Sequence, residues 1–245
     1  MAYRALSAVR NITVMVNRRV PATPAKRRLG ILISGRGSNM RSLIEAARAP
    51  DYPVEVAVVI SNRPAAEGLE FAKAQGIPAL GLDHTRYEGR EHFESQMQSV
   101  LTAAKVDLVA CAGFMRLMTP GFVEKWRDRM VNIHPSLLPS FKGLHTHERA
   151  LEAGVLVAGC TVHVVRAGMD EGPIIAQAAV PVLAGDTSET LASRVLAAEH
   201  LLYPHALALF ARGGARVDGE KIVFNQSINQ MDVLFSPALA PPANH

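Results

Sequence analysis

The feature that most constrains the fold is an alternation of short apolar runs with longer segments whose apolar residues recur at helical spacing. Short apolar runs bounded by Gly, Pro or Asp are typical of buried strands, and the longer periodic segments are typical of amphipathic helices. The predicted strands of the first half are Leu29–Ile33, Val54–Ile60, Pro78–Leu82 and Asp107–Ala112. The first predicted helix ends near Arg48, and the next two cover Ala65–Gln75 and Glu88–Ala104. This order predicts an α/β fold with a mostly parallel twisted sheet and helices on both of its faces.

The second half of the chain departs from this strict alternation. Two strand-like runs, Val157–Val165 and Pro173–Val182, follow each other closely enough to form an antiparallel pair, so we expect a mixed sheet. The remaining predicted elements are short helices over Pro120–Trp126 and His147–Ala153, a long helix over Thr187–Arg212 capped by Thr187 or Ser188, and a hairpin over Val217–Phe224. The fold class is therefore α/β with an antiparallel C-terminal part.

The sequence divides into a central domain and two short ends. Residues 1–28 carry seven Lys and Arg residues, no acidic residue and no clear period, so we expect a flexible basic arm that activity does not need. A targeting peptide, or a start assigned too early with Met15 as the true beginning, are the alternatives. Residues 29–224 are predicted to form one domain whose two halves meet near residue 128. Residues 225–245, rich in Pro, Ala and Asn, are predicted to be disordered.

Composition excludes some classes of partner. The net charge of the chain is +4, which is less than the seven positive charges of residues 1–28, so the remainder has no basic surplus for nucleic acid. No apolar run reaches the roughly 18 residues that a membrane span requires. Cys111 and Cys160 lie in apolar runs without a CxxC motif, and we expect them to be reduced core residues. Reduced cysteines fit a reducing compartment, and we expect a cytoplasmic protein with small-molecule partners. The sequence leaves open whether it is a monomer or a homodimer.

A glycine-rich loop, Ser34–Asn39, follows the first predicted strand and precedes the first helix. Glycines let the backbone approach an anion closely, and the first turn of a helix presents free N–H groups. The loop lacks the third glycine of a dinucleotide fingerprint and the Gly-Lys-Ser/Thr of a Walker loop. It favours a phosphate site, and the alternative is a tight turn in which Ser38 caps the helix.

The stretch from Val131 to Pro139 concentrates reactive side chains at the end of a strand. Pro135 and Pro139 stop regular structure, so Asn132 and His134 lie where a buried strand runs into a stiff loop. Two positions apart on an extended backbone, the two side chains point the same way. An amide donor beside an imidazole suits acyl or formyl transfer, which passes through an oxyanion. The alternative is a buried pair satisfied by backbone groups.

Other polar residues of the second half have open roles. Arg116 stands in an otherwise apolar loop and could hold a carboxylate or carbonyl. His145, His147 and His134 together suggest a metal site, but Glu148 is the single acidic residue near them, and we expect no metal. His163 is either a wall of the site or a core residue.

Five motifs in this order resemble those of the phosphoribosylglycinamide formyltransferases, the folate-dependent enzymes of purine biosynthesis. The motifs are Ile33–Asn39, Ala112–Arg116, Asn132–Pro139, Gly143–His147 and Met169–Pro173. The resemblance implies a Rossmann-like formyltransferase fold with a nucleotide-binding half to about residue 128 and a folate-binding, catalytic half after it. It also implies transfer of a formyl group from 10-formyltetrahydrofolate, a co-substrate, to the amine of 5′-phosphoribosylglycinamide, without a metal.

The resemblance further implies three sets of site residues. The catalytic residues would be Asn132, His134 and Asp170. The nucleotide would bind at Gly37, Ser38, Asn39 and Glu199, with its phosphate on the glycine loop. Folate would bind at Arg90, Met115, Arg116, Leu117, Met118, Asn132, Arg166, Ala167, Gly168, Met169 and Asp170.

The chemistry of the three catalytic residues agrees with this reaction. Amine attack on the formyl carbon creates an oxyanion, to which Asn132 and a protonated His134 could donate. A carboxylate at Asp170 would favour the protonated imidazole. A proton must also pass from the attacking nitrogen to the folate nitrogen, through His134, Asp170 or a water molecule.

Two other readings stay open. Formyltetrahydrofolate deformylase and the formyltransferases of initiator tRNA or nucleotide sugars share Asn-x-His and Asp-x-Gly-Pro. The ends of this sequence are too short for their additional domains, and the Gly143–His147 motif favours the purine enzyme. A binding module without catalysis is the alternative from a different class, although binding alone would not require all three polar residues.

Overall fold

A computed structural model describes residues 25–225. Most of the predicted basic arm and all but Asn225 of the predicted tail lie outside the described residues. The first strand begins at Arg27, so the last two residues of the predicted arm belong to the sheet. Arg28 explains this: its backbone N–H donates to Asp107 (2.7 Å), its Nε–H donates to the carbonyl of Ala104 (2.9 Å), and its guanidinium pairs with Glu55.

The part of the chain that the structure describes contains nine strands and six α-helices. The strands are β1 (Arg27–Ile33), β2 (Val54–Ser61), β3 (Ala79–Gly81), β4 (Leu108–Cys111), β5 (Met130–His134), β6 (Val157–Val164), β7 (Ile174–Pro181), β8 (Ala215–Asp218) and β9 (Lys221–Phe224). The helices are α1 (Ser38–Ala47), α2 (Glu67–Ala74), α3 (Arg90–Ala103), α4 (Pro120–Lys125), α5 (Thr146–Glu152) and α6 (Ser188–Ala211). Each corresponds to a predicted element, with ends shifted by one or two residues in most cases.

Seven strands form one sheet in the order β3-β2-β1-β4-β5-β6-β7. Pairing is parallel from β3 to β5 and antiparallel for β5 with β6 and β6 with β7. Strands β8 and β9 make a separate antiparallel hairpin. The predicted mixed α/β architecture is confirmed. The chain continues from β1 to β2 on one side, and β4 pairs with β1 on the other side. At such a reversal of strand order a crevice opens at the carboxyl ends of the strands, where ligands usually bind.

Alternate residues of β1 enter two separate apolar layers. Ile31 and Ile33 belong to a cluster that includes side chains of α1, α2 and α6. Leu32 belongs to a second cluster, on the other face of the sheet, with side chains of α3 and α4. This period of two in a strand buried on both sides explains why the run is apolar throughout. Helices on both faces, as predicted, follow from it.

The long helix α6 packs against the sheet and is hydrogen-bonded to two of its strands. It begins at the predicted cap: the Thr187 hydroxyl accepts the Thr190 N–H, and the Thr190 hydroxyl accepts the Thr187 N–H. Near its middle, the fully buried Tyr203 directs its hydroxyl to the carbonyls of Cys111 (3.0 Å) and Val131 (3.2 Å). Burial keeps the pKa of Tyr203 well above its ordinary value, so the hydroxyl stays a donor. Within residues 25–225, no helix is long and apolar enough to cross a membrane.

We predict that Tyr203→Phe lowers the free energy of unfolding by about 1 kcal/mol, because a buried donor to two strand carbonyls is removed while the ring keeps its packing. Urea denaturation of wild type and variant measures the change. Equal midpoints would show that the hydroxyl contributes nothing to stability.

Candidate active site

Strand β5 delivers two polar side chains to one side of the sheet. Val131 and Ile133 belong to the apolar cluster that includes residues of α6, so Asn132 and His134 project to the opposite side. After His134 the chain leaves the sheet at Pro135, as predicted. The pair therefore stands at the carboxyl end of a strand, at the edge of the crevice.

Both ring nitrogens of His134 face oxygen atoms. Nε2 lies 3.0 Å from the carbonyl of Phe141, and Nδ1 lies 3.4 Å from the Asp170 carboxylate. A carbonyl can only accept, so Nε2 must carry a proton in this arrangement. A proton on Nδ1 would face the Asp170 carboxylate. The His134 side chain is 7% exposed, so both contacts are shielded from solvent.

His163 is a further member of the site, and its tautomer can be inferred from its neighbours. Its Nδ1 lies 3.1 Å from the carbonyl of Val164 and must donate, which leaves Nε2 as an acceptor. Asn132 Nδ2 lies 3.2 Å from that Nε2 and is its donor. The imidazole is nearly fully buried, and this desolvation lowers its pKa below the ordinary 6.5, so His163 is neutral near pH 7.

Sequence reasoning left His163 undecided between a site wall and a core position. The signal that decides it is strand pairing, because β5 and β6 place Asn132 directly opposite His163. Cross-strand partners share one face of a sheet and touch. The pairing register is a long-range property that the local sequence does not reveal.

Asp170 lies in the loop of residues 165–173 that joins β6 and β7, here called the β6–β7 loop. Its backbone φ of 54° is left-handed, a conformation that Asp tolerates better than most residues. One carboxylate oxygen accepts the N–H of Gly143 (2.9 Å), and the other lies 3.8 Å from His163. Gly172 permits this turn, since a Cβ there would lie 1.6 Å from the carbonyl of Val164.

These side chains open onto a cavity of about 750 Å³. Its walls include every predicted folate residue except Arg90, which is exposed at the first residue of α3 and is not among the lining residues. The predicted folate residues in the wall are Met115, Arg116, Leu117, Met118, Asn132, Arg166, Ala167, Gly168, Met169 and Asp170. Lining residues that the prediction did not assign to folate include Phe114, Leu144, His147 and Val165.

The loop after β4, which contains Met115 and Arg116, is held by contacts with residues outside it. The Ser34 hydroxyl accepts the N–H of Met115 (2.8 Å) and donates to Asn62 (2.5 Å). The guanidinium of Arg116 lies 5.5 Å from the ring centre of Phe93, a cation–π contact that orients its charge at the cavity wall. Met115 and Leu117 stay more than half exposed at the mouth, where flexible apolar side chains suit a planar ligand.

The glycine loop lies next to the cavity wall. Gly37 is left-handed (φ 69°) and is itself the N-cap of α1, so the interpretation of Ser38 as the cap is wrong. Among the described residues no side chain caps this helix, so its first N–H groups have no side-chain acceptor. Gly37, Ser38 and Asn39 do not line the large cavity, but the N–H of Ser34 donates to Gly113, which does (3.0 Å).

Glu199 of α6 reaches the glycine loop. Its carboxylate accepts Nδ2 of Asn39 at 2.6 Å, and both side chains are buried. Burial raises the pKa of Glu199, while the hydrogen bond from Asn39 opposes this shift. The predicted nucleotide residues thus form one connected group, although 160 residues separate Asn39 from Glu199.

His145 and His147 lie at the cavity rather than in a metal cluster. Both belong to the lining, and burial lowers the pKa of His147. Over residues 25–225, no group of three or more His, Cys, Asp or Glu side chains is arranged to hold a metal ion.

Comparison with known proteins defines the class. The sequence model of the family described as formyl transferase matches residues 27–207, and the chain belongs to this family. It is 40% identical to the phosphoribosylglycinamide formyltransferase of Escherichia coli over 199 residues, which cover 78% of this chain and 94% of that protein. Glycinamide ribonucleotide transformylase 1 from Symbiobacterium toebii superposes with a TM-score of 0.79 at 49% identity, covering 81% of this chain and 94% of that one.

Longer relatives contain a matching portion. The human trifunctional purine biosynthetic protein adenosine-3 is 50% identical over 188 residues, which are 77% of this chain and 19% of that protein. This chain thus spans about a fifth of the trifunctional relatives. The resemblance inferred from the five motifs is confirmed at the level of the family.

We predict that His163→Gln weakens the pH dependence of stability. Because the folded pKa of His163 lies below 6.5, the unfolded chain binds the proton more readily, and acidification below about pH 6.5 favours unfolding. The variant lacks this linkage and should lose less unfolding free energy than wild type between about pH 7.5 and pH 5. Urea denaturation at both pH values measures it, and equal losses would contradict a neutral buried His163.

Proposed function

We propose that this chain transfers a formyl group from 10-formyltetrahydrofolate to the amine of 5′-phosphoribosylglycinamide. The observation that carries the proposal is the convergence of Asn132, His134, His163 and Asp170 on one wall of a cavity whose remaining walls are largely apolar. The names of the E. coli and S. toebii relatives support the same reaction. The catalytic roles of these side chains and the binding roles below are part of the proposal.

The proposed reaction needs donors for an oxyanion. The nucleotide amine attacks the formyl carbon, a C–N bond forms, and the carbonyl oxygen becomes negative. One N–H of Asn132 is held by His163, so the amide is oriented and its second N–H is free to donate to that oxygen. His134 donates as well when Nε2–H turns from the carbonyl of Phe141 to the substrate. Both interactions strengthen as charge develops, which lowers the barrier rather than only binding substrate.

The collapse of the intermediate requires a proton transfer. The C–N bond to the folate N10 breaks, N10 gains a proton, and the attacking nitrogen loses one, so the reaction is balanced without a metal or redox partner. Asp170 lies within 3.8 Å of both imidazoles, and its carboxylate faces Nδ1 of His134. His134 and Asp170 are therefore the groups that move the proton, directly or through a water molecule.

The glycine loop and the cavity suit the two substrates. Backbone N–H groups at the start of α1 would hold the nucleotide phosphate, with Gly37, Ser38 and Asn39 around it and Glu199 accepting from hydroxyl groups of the ribose. The 750 Å³ cavity would hold the folate between the loop of Met115–Met118 and the β6–β7 loop. Arg90 would reach the folate only at its outer end, because it stands outside the cavity wall. We place the reaction in the cytoplasm, with these small molecules as partners.

The proposal predicts formyl transfer that depends on the nucleotide. Deacylation of 10-formyl-dideazafolate, followed by absorbance, should require 5′-phosphoribosylglycinamide, and His134→Ala and Asp170→Asn should each lower kcat by about a hundredfold or more. Circular dichroism shows whether each variant folds. Folate release without the nucleotide would identify a hydrolase, and release in neither case would exclude the proposed activity.

Gly37→Ala should raise the KM for the nucleotide about tenfold and leave the KM for the folate unchanged. Its backbone is left-handed, and a Cβ would lie 2.9 Å from Cε of Met40, so the loop must shift. The matched control is Gly76→Ala, which has a similar φ of 74° and open space around its Cβ, far along the chain from the loop. An equal KM in both variants would remove the glycine loop from the nucleotide site.

A further inference from the structure

We propose that Arg166 is a positioning residue that holds the catalytic β6–β7 loop through an ion-pair clamp to Asp128 and Glu220. The sequence resemblance placed Arg166 among residues that bind folate. The inference rests on the proposed function, because it concerns the placement of Asp170 in that reaction.

The guanidinium of Arg166 is paired with two carboxylates and a backbone carbonyl. Its Nη2 lies 2.7 Å from Asp128, its Nε lies 2.9 Å from Glu220, and Nη1 donates to the carbonyl of Val165 (3.2 Å). The side chain is 10% exposed, although Asp128 and Glu220 are 43% and 60% exposed. All three guanidinium nitrogens thus have protein acceptors, and the fixed fork of Arg suits such a multiple contact better than Lys would.

The clamp acts at one end of a loop that is fastened elsewhere as well. Val165 donates its N–H to Met130 (2.8 Å), Glu171 pairs with Lys142 (2.9 Å), and Asp170 accepts from Gly143. Ala167 and Gly168 line both the cavity and a second concavity of about 700 Å³, so little protein packs against this part of the loop. Loss of the Arg166 contacts would loosen the segment that leads to Asp170.

The clamp also links the C-terminal hairpin to the β6–β7 loop. Glu220 lies in the turn between β8 and β9 and is shared by Arg166 and Arg127. Asp128 follows α4 and has a left-handed φ of 57°. Residues from three separate parts of the chain therefore meet at one guanidinium, although the family match ends at residue 207, before the hairpin begins.

The substitutions that test the clamp can be matched closely. Arg166→Met removes the charge and keeps the apolar stem. Asp128→Asn and Glu220→Gln remove the acceptor charges, and Asn tolerates the left-handed backbone of Asp128. Arg127→Met is the control, because Arg127 pairs with the same Glu220 but has no hydrogen bond or ion pair to the β6–β7 loop among the described residues.

Steady-state formyl transfer should separate positioning from binding. Arg166→Met should lower kcat about tenfold to a hundredfold, with both KM values changed by less than about twofold, because a displaced catalytic group affects the chemical step. The Asp128→Asn/Glu220→Gln double variant should lose a similar factor, and adding Arg166→Met to it should cost nothing more. Arg127→Met should keep the wild-type kcat.

A direct contact of Arg166 with the folate gives a different pattern and would overturn the proposal. Arg166→Met would then raise the KM for the folate and would do so equally in the double-variant background. Unchanged kcat and KM in Arg166→Met would also overturn it.

Hydrogen–deuterium exchange tests the clamp without relying on activity. Amides of residues 165–172 should exchange faster in Arg166→Met than in wild type or Arg127→Met, at equal Tm. If wild type shows no nucleotide-dependent transfer, the proposed function fails, and faster local exchange would still support the clamp. Unchanged exchange in these amides would refute the clamp whatever the activity. Faster exchange with a normal kcat would refute the positioning role.

Discussion

The antiparallel pairing of β5 with β6 is the interaction on which the site depends. All pairs from β3 to β5 are parallel. Another parallel strand after β6 would have required a long crossover connection, usually a helix. Reversal instead places His163 opposite Asn132 and lets the chain leave β6 directly into the loop that carries Asp170. Two sequence segments about thirty residues apart thus contribute to one cluster of polar groups.

Within that cluster, the two histidines do different work because their surroundings differ. His163 is next to a backbone carbonyl and an amide donor, and its burial keeps it neutral. His134 has an oxygen acceptor facing each ring nitrogen. A single carboxylate, that of Asp170, lies near both rings. In the proposed reaction, the neutral His163 orients the amide of Asn132, and His134 takes part in the proton transfer.

Much of this organisation follows from the local sequence, and the exceptions share a cause. Apolar periodicity predicts the order of strands and helices, and the prolines after His134 predict where β5 ends. The partners of Asn39, Asn132 and Arg166 are 160, 31 and up to 54 residues away, and no local pattern encodes such contacts. The resemblance located the motifs but placed Arg90 in the cavity wall, where the structure does not have it. It assigned Arg166 to folate binding and did not reveal that its guanidinium pairs with Asp128 and Glu220.

The turn of the β8–β9 hairpin has a consequence for where the functional unit ends. Glu220 lies thirteen residues beyond the family match, which stops at residue 207, yet it pairs with Arg166 in the loop that carries Asp170. A recombinant chain trimmed to the limits of the family match would keep Asn132, His134 and Asp170 and lose a partner of Arg166. The end of the family match is therefore not the end of the part of the chain that contacts the β6–β7 loop.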